Sequence, residues 1–234
     1  MKAVKRKTKS GKTSSVKRRA QKVSSSTVTR LSKYYRTLND LMQQGIEHIS
    51  SEELAKIEGF TSAQVRKDLS FFGSFGRRGL GYNTSELRNR IATIMGLNRS
   101  WNVAIVGAGN IGSALVDYAE FRAHGFNIRA LFDNDNTKVG TTVKSLIVQP
   151  VDALEEGLKR DRIDIVILAI PASAAQAMAD RLALTSVRGI LNFAPKRLHV
   201  PSAMVVRQEN TAMELEALSY FILNQKRRPE DAVS

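Results

Sequence analysis

From Val28 to Gly45 the large apolar side chains recur at steps of three and four residues (Leu31, Tyr34, Tyr35, Leu38, Leu41, Met42), the stripe of a helix with one buried face. Gly45 supplies a left-handed stop. Ser50 with Glu53 three residues on has the form of a capping box, which predicts a short helix with Leu54 and Ile57 inward and Gly59 at its end. Thr61 and Gln64 repeat the device for a third helix. That helix turns Val65, Leu69 and Phe72 inward and presents Ser62, Gln64, Arg66, Lys67 and Ser70 on its other side. Gly73 to Tyr82, punctuated by glycines, predicts a hairpin with Arg77 and Arg78 at its tip. Leu87, Ile91 and Ile94 mark the inner face of a fourth helix, from about Ser85 to Met95.

At Trp101 the rhythm changes. The β-branched run Asn102 to Val106 leads straight into Gly107-Ala108-Gly109-Asn110-Ile111-Gly112, a glycine pattern between a strand and a helix expected over about Asn110–Arg122. A second strand, Asn127 to Phe132, ends in Asp133, 21 positions after the last of these glycines. That is the place of the carboxylate that accepts the ribose hydroxyls of a bound dinucleotide. Further strands are expected at Leu146–Val148, Asp164–Ile170, Gly189–Phe193 and around Ala203–Val206, with helices from about Val151 to Lys159 and from Ala172 to Ala183.

In this reading Gly107 permits the tight turn, Gly109 admits the pyrophosphate, and Gly112 lets helix pack on strand. Ala108 completes the loop, and the amides of Asn110 and Ile111 face the anion. An acid at Asp133 favours NAD over NADP, although Lys138 nearby tempers that choice. Pro171, Asn192 and Ala194, at the carboxyl ends of later strands, are expected to face the ligand. The bland alternative is a doubly wound domain whose glycines serve packing only.

Composition refines the picture mainly through charge. The chain of 234 residues is 42% hydrophobic and 25% charged, an ordinary globular balance, but its formal net charge is +14. Residues 1–30 hold 11 basic and no acidic side chains, residues 31–100 hold 10 and 7, and residues 101–234 hold 15 and 15. About residues 1–25 are therefore expected to be a disordered basic arm, either a solubilising tail or a sequence-blind clamp on phosphates. The absence of cysteine rules out a disulfide framework, a thiolate metal site and a thiol nucleophile, and it fits a reducing, cytoplasmic setting. No stretch approaches the ~20 apolar residues of a membrane span, and the basic N-terminus lacks the apolar run of a secretory signal.

Three short helices, a basic glycine loop and a return into a helix outline a winged helix-turn-helix whose third helix would enter the major groove. There Ser62, Gln64, Arg66, Lys67 and Ser70 would meet base edges or phosphates, and Arg77 and Arg78 would meet the minor groove or backbone. A plain helical bundle with a solvated charged face is the alternative. Asp68, on the same helix, would repel phosphate and is expected to orient a neighbouring arginine instead.

A dehydrogenase would need a proton-transfer group beside the nicotinamide. Only 28 residues follow Val206, and His48, His124 and His199 are poorly placed for that task. A dinucleotide site without a catalytic group, joined to a winged helix, reads as a sensor rather than an enzyme. An NAD-dependent oxidoreductase with an N-terminal helical domain is the alternative. The last helix, about Thr211 to Gln225, carries Leu215, Leu218, Tyr220, Phe221 and Ile222 on a broad apolar stripe. It would either pack on its own domain or be exchanged with a second protomer.

Several segments together resemble the Rex family of redox-sensing transcriptional repressors. They are Ser50-Ser51-Glu52-Glu53-Leu54, Gln64-Val65-Arg66-Lys67-Asp68-Leu69-Ser70-Phe71-Phe72-Gly73, Gly79-Leu80-Gly81-Tyr82-Asn83, Gly107 to Gly112, Phe132-Asp133-Asn134-Asp135 with Lys138-Val139-Gly140, and Gly189 to Pro195. The similarity spans about residues 26–225. It implies a homodimer that represses genes of fermentation and respiration from a palindromic double-stranded operator when NADH is scarce. NADH would close the dimer and release it from DNA, while NAD+ competes without triggering release. The resemblance also implies a C-terminal helix swapped across the dimer, and a polar switch near the nicotinamide that includes Arg36 and Tyr118.

The chain departs from the family at Asn210-Thr211, where an Asp followed by an apolar residue is usual. Asn210 can hydrogen-bond but brings no charge, so a weakened redox response is the expectation. The fold class that results is an N-terminal, mainly α winged helix-turn-helix plus a C-terminal α/β Rossmann-type NAD(H)-binding domain with a swapped C-terminal helix. The divisions are residues 1–25 (arm), 26–100 (winged helix), 101–206 (dinucleotide domain) and 207–234 (swapped helix and tail). No catalytic residue, metal or membrane partner is expected.

Overall fold

A computed structural model describes residues 23–76 and 79–224. All of the expected basic arm but its last residues, where Ser24 caps α1, and both wing-tip residues, Arg77 and Arg78, lie outside these described residues. The chain forms two compact units that part between Gly96 and Leu97.

Among the described residues the N-terminal unit contains four helices: α1 (Ser25–Gln43), α2 (Ser51–Glu58), α3 (Ser62–Ser70) and α4 (Thr84–Met95). Each begins at a residue whose side chain takes an otherwise unpaired backbone N–H. Ser24 accepts from Thr27, Ser50 from Glu53, Thr61 from Gln64 and Asn83 from Glu86. At Ser50 the Glu53 carboxylate returns the bond to the Ser50 amide at 2.8 Å, so the expected capping box closes. At Thr61 it does not close, because the Gln64 side chain turns to Asp68 instead. Leu31, Tyr34, Leu38, Leu54, Val65, Leu69, Leu87 and Ile91 form the buried interior. Two residues expected inward are exposed: Met42 in the last turn of α1 and Ile57 in the last turn of α2.

The expected hairpin within Gly73–Tyr82 does not form among the described residues. A two-residue strand, β2 (Tyr82–Asn83), pairs antiparallel with β1 (His48–Ile49), which precedes α2. The wing is thus closed by a partner more than thirty residues away in sequence. Local glycine punctuation carries no information about such a partner.

The C-terminal unit is a seven-stranded sheet. Its strands are β3 (Trp101–Val106), β4 (Phe126–Asp133), β5 (Thr142–Val143), β6 (Leu146–Pro150), β7 (Ile165–Leu168), β8 (Gly189–Asn192) and β9 (Val205–Gln208). They lie in the order β5-β6-β4-β3-β7-β8-β9, and all neighbours are parallel except β5 with β6. Apart from the β5 edge this is the doubly wound dinucleotide order, with its reversal at β3 and β7. Helices α5 (Asn110–Leu115), α6 (Ala119–Ala123), α7 (Leu154–Arg160) and α8 (Ala172–Ala183) connect the strands. One core gathers Val106, Phe132, Leu154, Leu168 and Leu182, and the other gathers Val103, Ile105, Leu131, Val148 and Ile167.

One expectation fails in this unit. The single helix over about Asn110–Arg122 is broken, since Tyr118 is extended (φ −64°, ψ 109°) and starts α6. Beside the break, Asp117 accepts from Ser145 Oγ at 2.8 Å in the β5–β6 turn, an interaction between distant segments. The last helix, α9 (Thr211–Asn224), buries none of its residues in this chain, so it does not pack back on its own domain. Leu215, Leu218, Tyr220, Phe221 and Ile222 are all more than half exposed.

Candidate functional site

Two candidate sites stand on separate units. In the N-terminal unit a short turn over Gly59–Thr61 joins α2 to α3, which buries Val65 and Leu69. Arg66, Lys67 and Ser70 are exposed on its outer face, and Ser62 and Gln64 are half-buried at its start. Arg66 Nη1 donates to Ser51 Oγ at 2.9 Å, which ties α3 to the first turn of α2. Ser70 Oγ donates to the Lys67 carbonyl at 2.7 Å.

Beneath this face Asp68 is fully buried. Burial alone would push its carboxyl up, but hydrogen bonds from Arg30, Tyr34 and Gln64 outweigh that and hold it below the ordinary aspartate range. The same cluster raises the Arg30 guanidinium through its bond to Asp68, and burial followed by the Asp68 bond pushes the Tyr34 phenol up. The expectation that Asp68 orients an arginine matches this arrangement. The arginine is Arg30, on α1, which sequence reasoning had not singled out because its partner is 38 positions away.

In the C-terminal unit the glycine loop runs from the end of β3 into α5. Gly107 has φ +107°, and a Cβ there would stand 2.3 Å from the Ala169 carbonyl oxygen; at Gly112 it would stand 1.8 Å from the Gly107 carbonyl oxygen. Neither position can carry a side chain without a backbone shift. Gly109 is different, because a Cβ there would meet nothing within 4 Å. No packing demand accounts for the absence of a side chain at Gly109, whereas close approach of a ligand to the backbone would. The packing-only reading of the glycines therefore explains Gly107 and Gly112 but not Gly109.

Asp133 closes the loop from the other side. Its Oδ2 accepts the Ala108 N–H at 2.6 Å and its Oδ1 accepts the Asp135 N–H at 2.9 Å. Lys138 Nζ lies 3.5 Å from Asp133 and 3.6 Å from Asp135. The carboxylate thus fixes the loop and holds Lys138 beside it. Asn110 and Ile111 are exposed at the start of α5, and Pro171 is exposed at the end of β7.

Asn192 and Ala194 do not face outward as expected. Ala194 is buried in the core, and the Asn192 amide is spent on Lys196 O and Gln208 Oε1, both at 2.8 Å, while its oxygen accepts from Ala194 N. Their work is to knit the turn after β8 to β9. Position at a strand end could not distinguish that role from ligand contact.

The three residues assigned to the polar switch fall on different elements. Arg36 is exposed on α1, and Tyr118 stands half exposed at the α5–α6 break, edge-on to Phe121 with centroids 5.1 Å apart. Asn210 Oδ1 accepts the Ala212 N–H at 3.1 Å and so caps the start of α9. Among the described residues no group of three or more His, Asp or Glu side chains is placed to hold a metal ion.

Comparison with known proteins bears on both sites. A family model described as "Putative DNA-binding protein N-terminus" matches residues 22–70, and one described as "CoA binding domain" matches residues 98–196. The redox-sensing transcriptional repressor Rex of Carboxydothermus hydrogenoformans is 48% identical over 201 residues, 86% of this chain and 97% of that protein. A solved Rex-family repressor, RSP, in complex with NAD+ and operator DNA superposes with a TM-score of 0.82 at 38% identity, over 86% of this chain and 93% of that one. Its complex with NADH gives 0.79 at 36% identity, over 86% and 95%. With this identity across both units, the chain belongs to the Rex family of redox-sensing transcriptional repressors.

Proposed function

We propose that this protein is a DNA-binding repressor that senses the NADH/NAD+ ratio, NADH releasing it from operator DNA. The carrying observation is that one chain joins an exposed basic helix, anchored from below by Asp68, to a Rossmann loop left open at Gly109. Relatives spanning almost the whole of this arrangement are named as repressors, so an oxidoreductase is set aside. Coenzyme A and NAD share an adenosine diphosphate moiety, so the name of the second family model does not choose between them. The RSP complexes, which hold NAD+ and NADH, favour NAD(H).

In this reading Ser62, Gln64, Arg66, Lys67 and Ser70 meet the major groove, while Arg77 and Arg78 meet the adjoining backbone or minor groove. Gly107, Ala108, Gly109, Asn110, Ile111 and Gly112 receive the dinucleotide, with Asp133, Lys138 and Pro171 around it. Gly109 is the fit test that this structure offers, since the backbone there is open to a phosphate group. Bound NADH supplies no chemistry in this role, only binding energy that differs between the DNA-competent and the released arrangements.

The repressor acts as a homodimer on a palindromic site. Support comes from α9, whose apolar side chains find no cover in their own chain, as a helix exchanged between protomers requires. No helix among the described residues is long and apolar enough to cross a membrane, and a DNA partner supports a cytoplasmic setting. A second reading, a weakened redox response, is favoured by Asn210, an uncharged helix cap where the resemblance leads one to expect an aspartate.

The test is fluorescence anisotropy on a palindromic duplex recovered by selection from random DNA. NADH is expected to release the DNA and an equal concentration of NAD+ to leave it bound. No enrichment of any duplex, or steady turnover of NADH with a panel of oxo-acids and aldehydes, would overturn the assignment.

A further inference from the structure

Five hydrogen bonds from four residues converge on the buried Asp68 carboxylate. Arg30 donates through Nε at 2.6 Å and Nη2 at 2.8 Å, Tyr34 OH at 3.0 Å, Gln64 Nε2 at 2.9 Å and Thr27 Oγ1 at 3.3 Å. Four of these five bonds serve the interior. The Gln64 bond is different, because Gln64 is only partly buried in the first turn of α3, one turn before the exposed Lys67.

An ionised carboxylate only accepts, so an amide facing it must present its NH2 group. The carboxylate therefore settles a choice that an exposed glutamine would leave open, with Nε2 inward and Oε1 outward. Oε1 accepts no hydrogen bond from any described residue. One N–H of the amide goes to Asp68 and one is left. The pair that remains, one acceptor and one donor, complements the N6 amino group and N7 of adenine.

We propose that Asp68 is a positioning residue for sequence reading, orienting the Gln64 amide so that α3 offers it to an adenine in the major groove. This rests on the reading of α3 as the DNA-contacting helix. Asp68 itself touches no DNA. Arg30 and Tyr34 hold the carboxylate in place, and Gln64 carries its orientation to the surface.

The experiment is selection of bound duplexes from a random pool with the full-length protein, its Gln64→Met variant and its Asp68→Asn variant. Gln64→Met is expected to flatten one A·T position per half-site, with about a tenfold loss of preference there. Asp68→Asn is expected to flatten the same position and spare the others, since an asparagine can donate as well as accept and no longer fixes the amide. Unchanged preference at that position in Asp68→Asn would overturn the proposal, as would a G·C pair at the position Gln64 reads. A purely structural Asp68 would lower affinity at every position alike.

A measurement on the unaltered protein covers the case in which Asp68→Asn fails to fold. In glutamine-labelled protein free of DNA, the Gln64 amide proton that faces Asp68 should exchange with solvent more slowly than its geminal partner and than the side-chain amide protons of exposed glutamines. Exchange as fast as that of the other glutamines would overturn the proposal. Failure of the wild-type protein to enrich any sequence would instead overturn the DNA-binding reading beneath it.

Discussion

Arg30 grips Asp68 with a two-pronged fork, Nε to Oδ2 at 2.6 Å and Nη2 to Oδ1 at 2.8 Å, and so fastens the first half of α1 to α3. The carboxylate is fully buried and the guanidinium is 18% exposed. Removing one partner leaves a buried charge uncompensated. Arg30→Ala is expected to destabilise the N-terminal unit by about 3–5 kcal/mol. Arg30→Lys, which keeps the charge but lacks the planar fork, should lose less. Urea unfolding followed by tyrosine fluorescence measures both, and equal stability of wild type and Arg30→Ala would remove this contact from the account.

The same carboxylate gives a pH dependence. Its folded pKa lies below the unfolded value of about 3.9. Its stabilising contribution is therefore present above that pH and is lost as pH falls through the lower, folded value. Between about pH 5 and pH 2 the wild-type unit should lose more stability than Asp68→Asn does. Parallel acid titrations of the two proteins in urea provide the comparison.

The glycines of the loop separate folding from binding. Gly112→Ala places a methyl group against the Gly107 carbonyl and should lower the melting temperature of the C-terminal unit. Gly109→Ala meets no atom and should melt within a few degrees of wild type while binding NADH severalfold more weakly. Calorimetry and NADH titration on each variant resolve the two. Undiminished NADH affinity in Gly109→Ala would place the dinucleotide elsewhere.

Asn210→Asp restores a charge before α9. Operator DNA should then be released at a lower NADH concentration than from the wild-type protein, with little change in DNA affinity when NADH is absent. Identical release curves would show that the uncharged residue does not weaken the response.

The apolar side chains of α9 bear on assembly. Replacing Leu218 and Phe221 together by glutamate should convert a dimer into a monomer in sedimentation equilibrium, and DNA affinity should fall with it because only one half-site can be engaged at a time. A dimer unaffected by the double change would move the interface away from this helix.

Much of both units could be read along the chain because the signals were local. Capping pairs such as Ser50 with Glu53, the apolar stripe of α1 and the strand–glycine–helix order around Gly107 each depend on neighbours a few positions apart. The Rex resemblance added the roles assigned to Arg36, Tyr118 and Asn210, which no periodicity supplies.

Long-range partners were what only the tertiary structure decided. Tyr82 pairs with Ile49 rather than across its own glycine loop, Asn192 spends its amide on Gln208 rather than on the ligand side, and Asp133, expected to take ribose hydroxyls, also accepts the Ala108 amide of the glycine loop. The buried ring of Arg30, Tyr34, Gln64 and Asp68 belongs here too. The sequence by itself determined most of the segments that form helices and strands and, for most of them, the apolar face, because periodicity and caps are properties of the local chain. Where each polar side chain spends its hydrogen bonds depends on groups brought close only by folding. That fixed which residues stay available for DNA or dinucleotide and which are consumed in holding the others still.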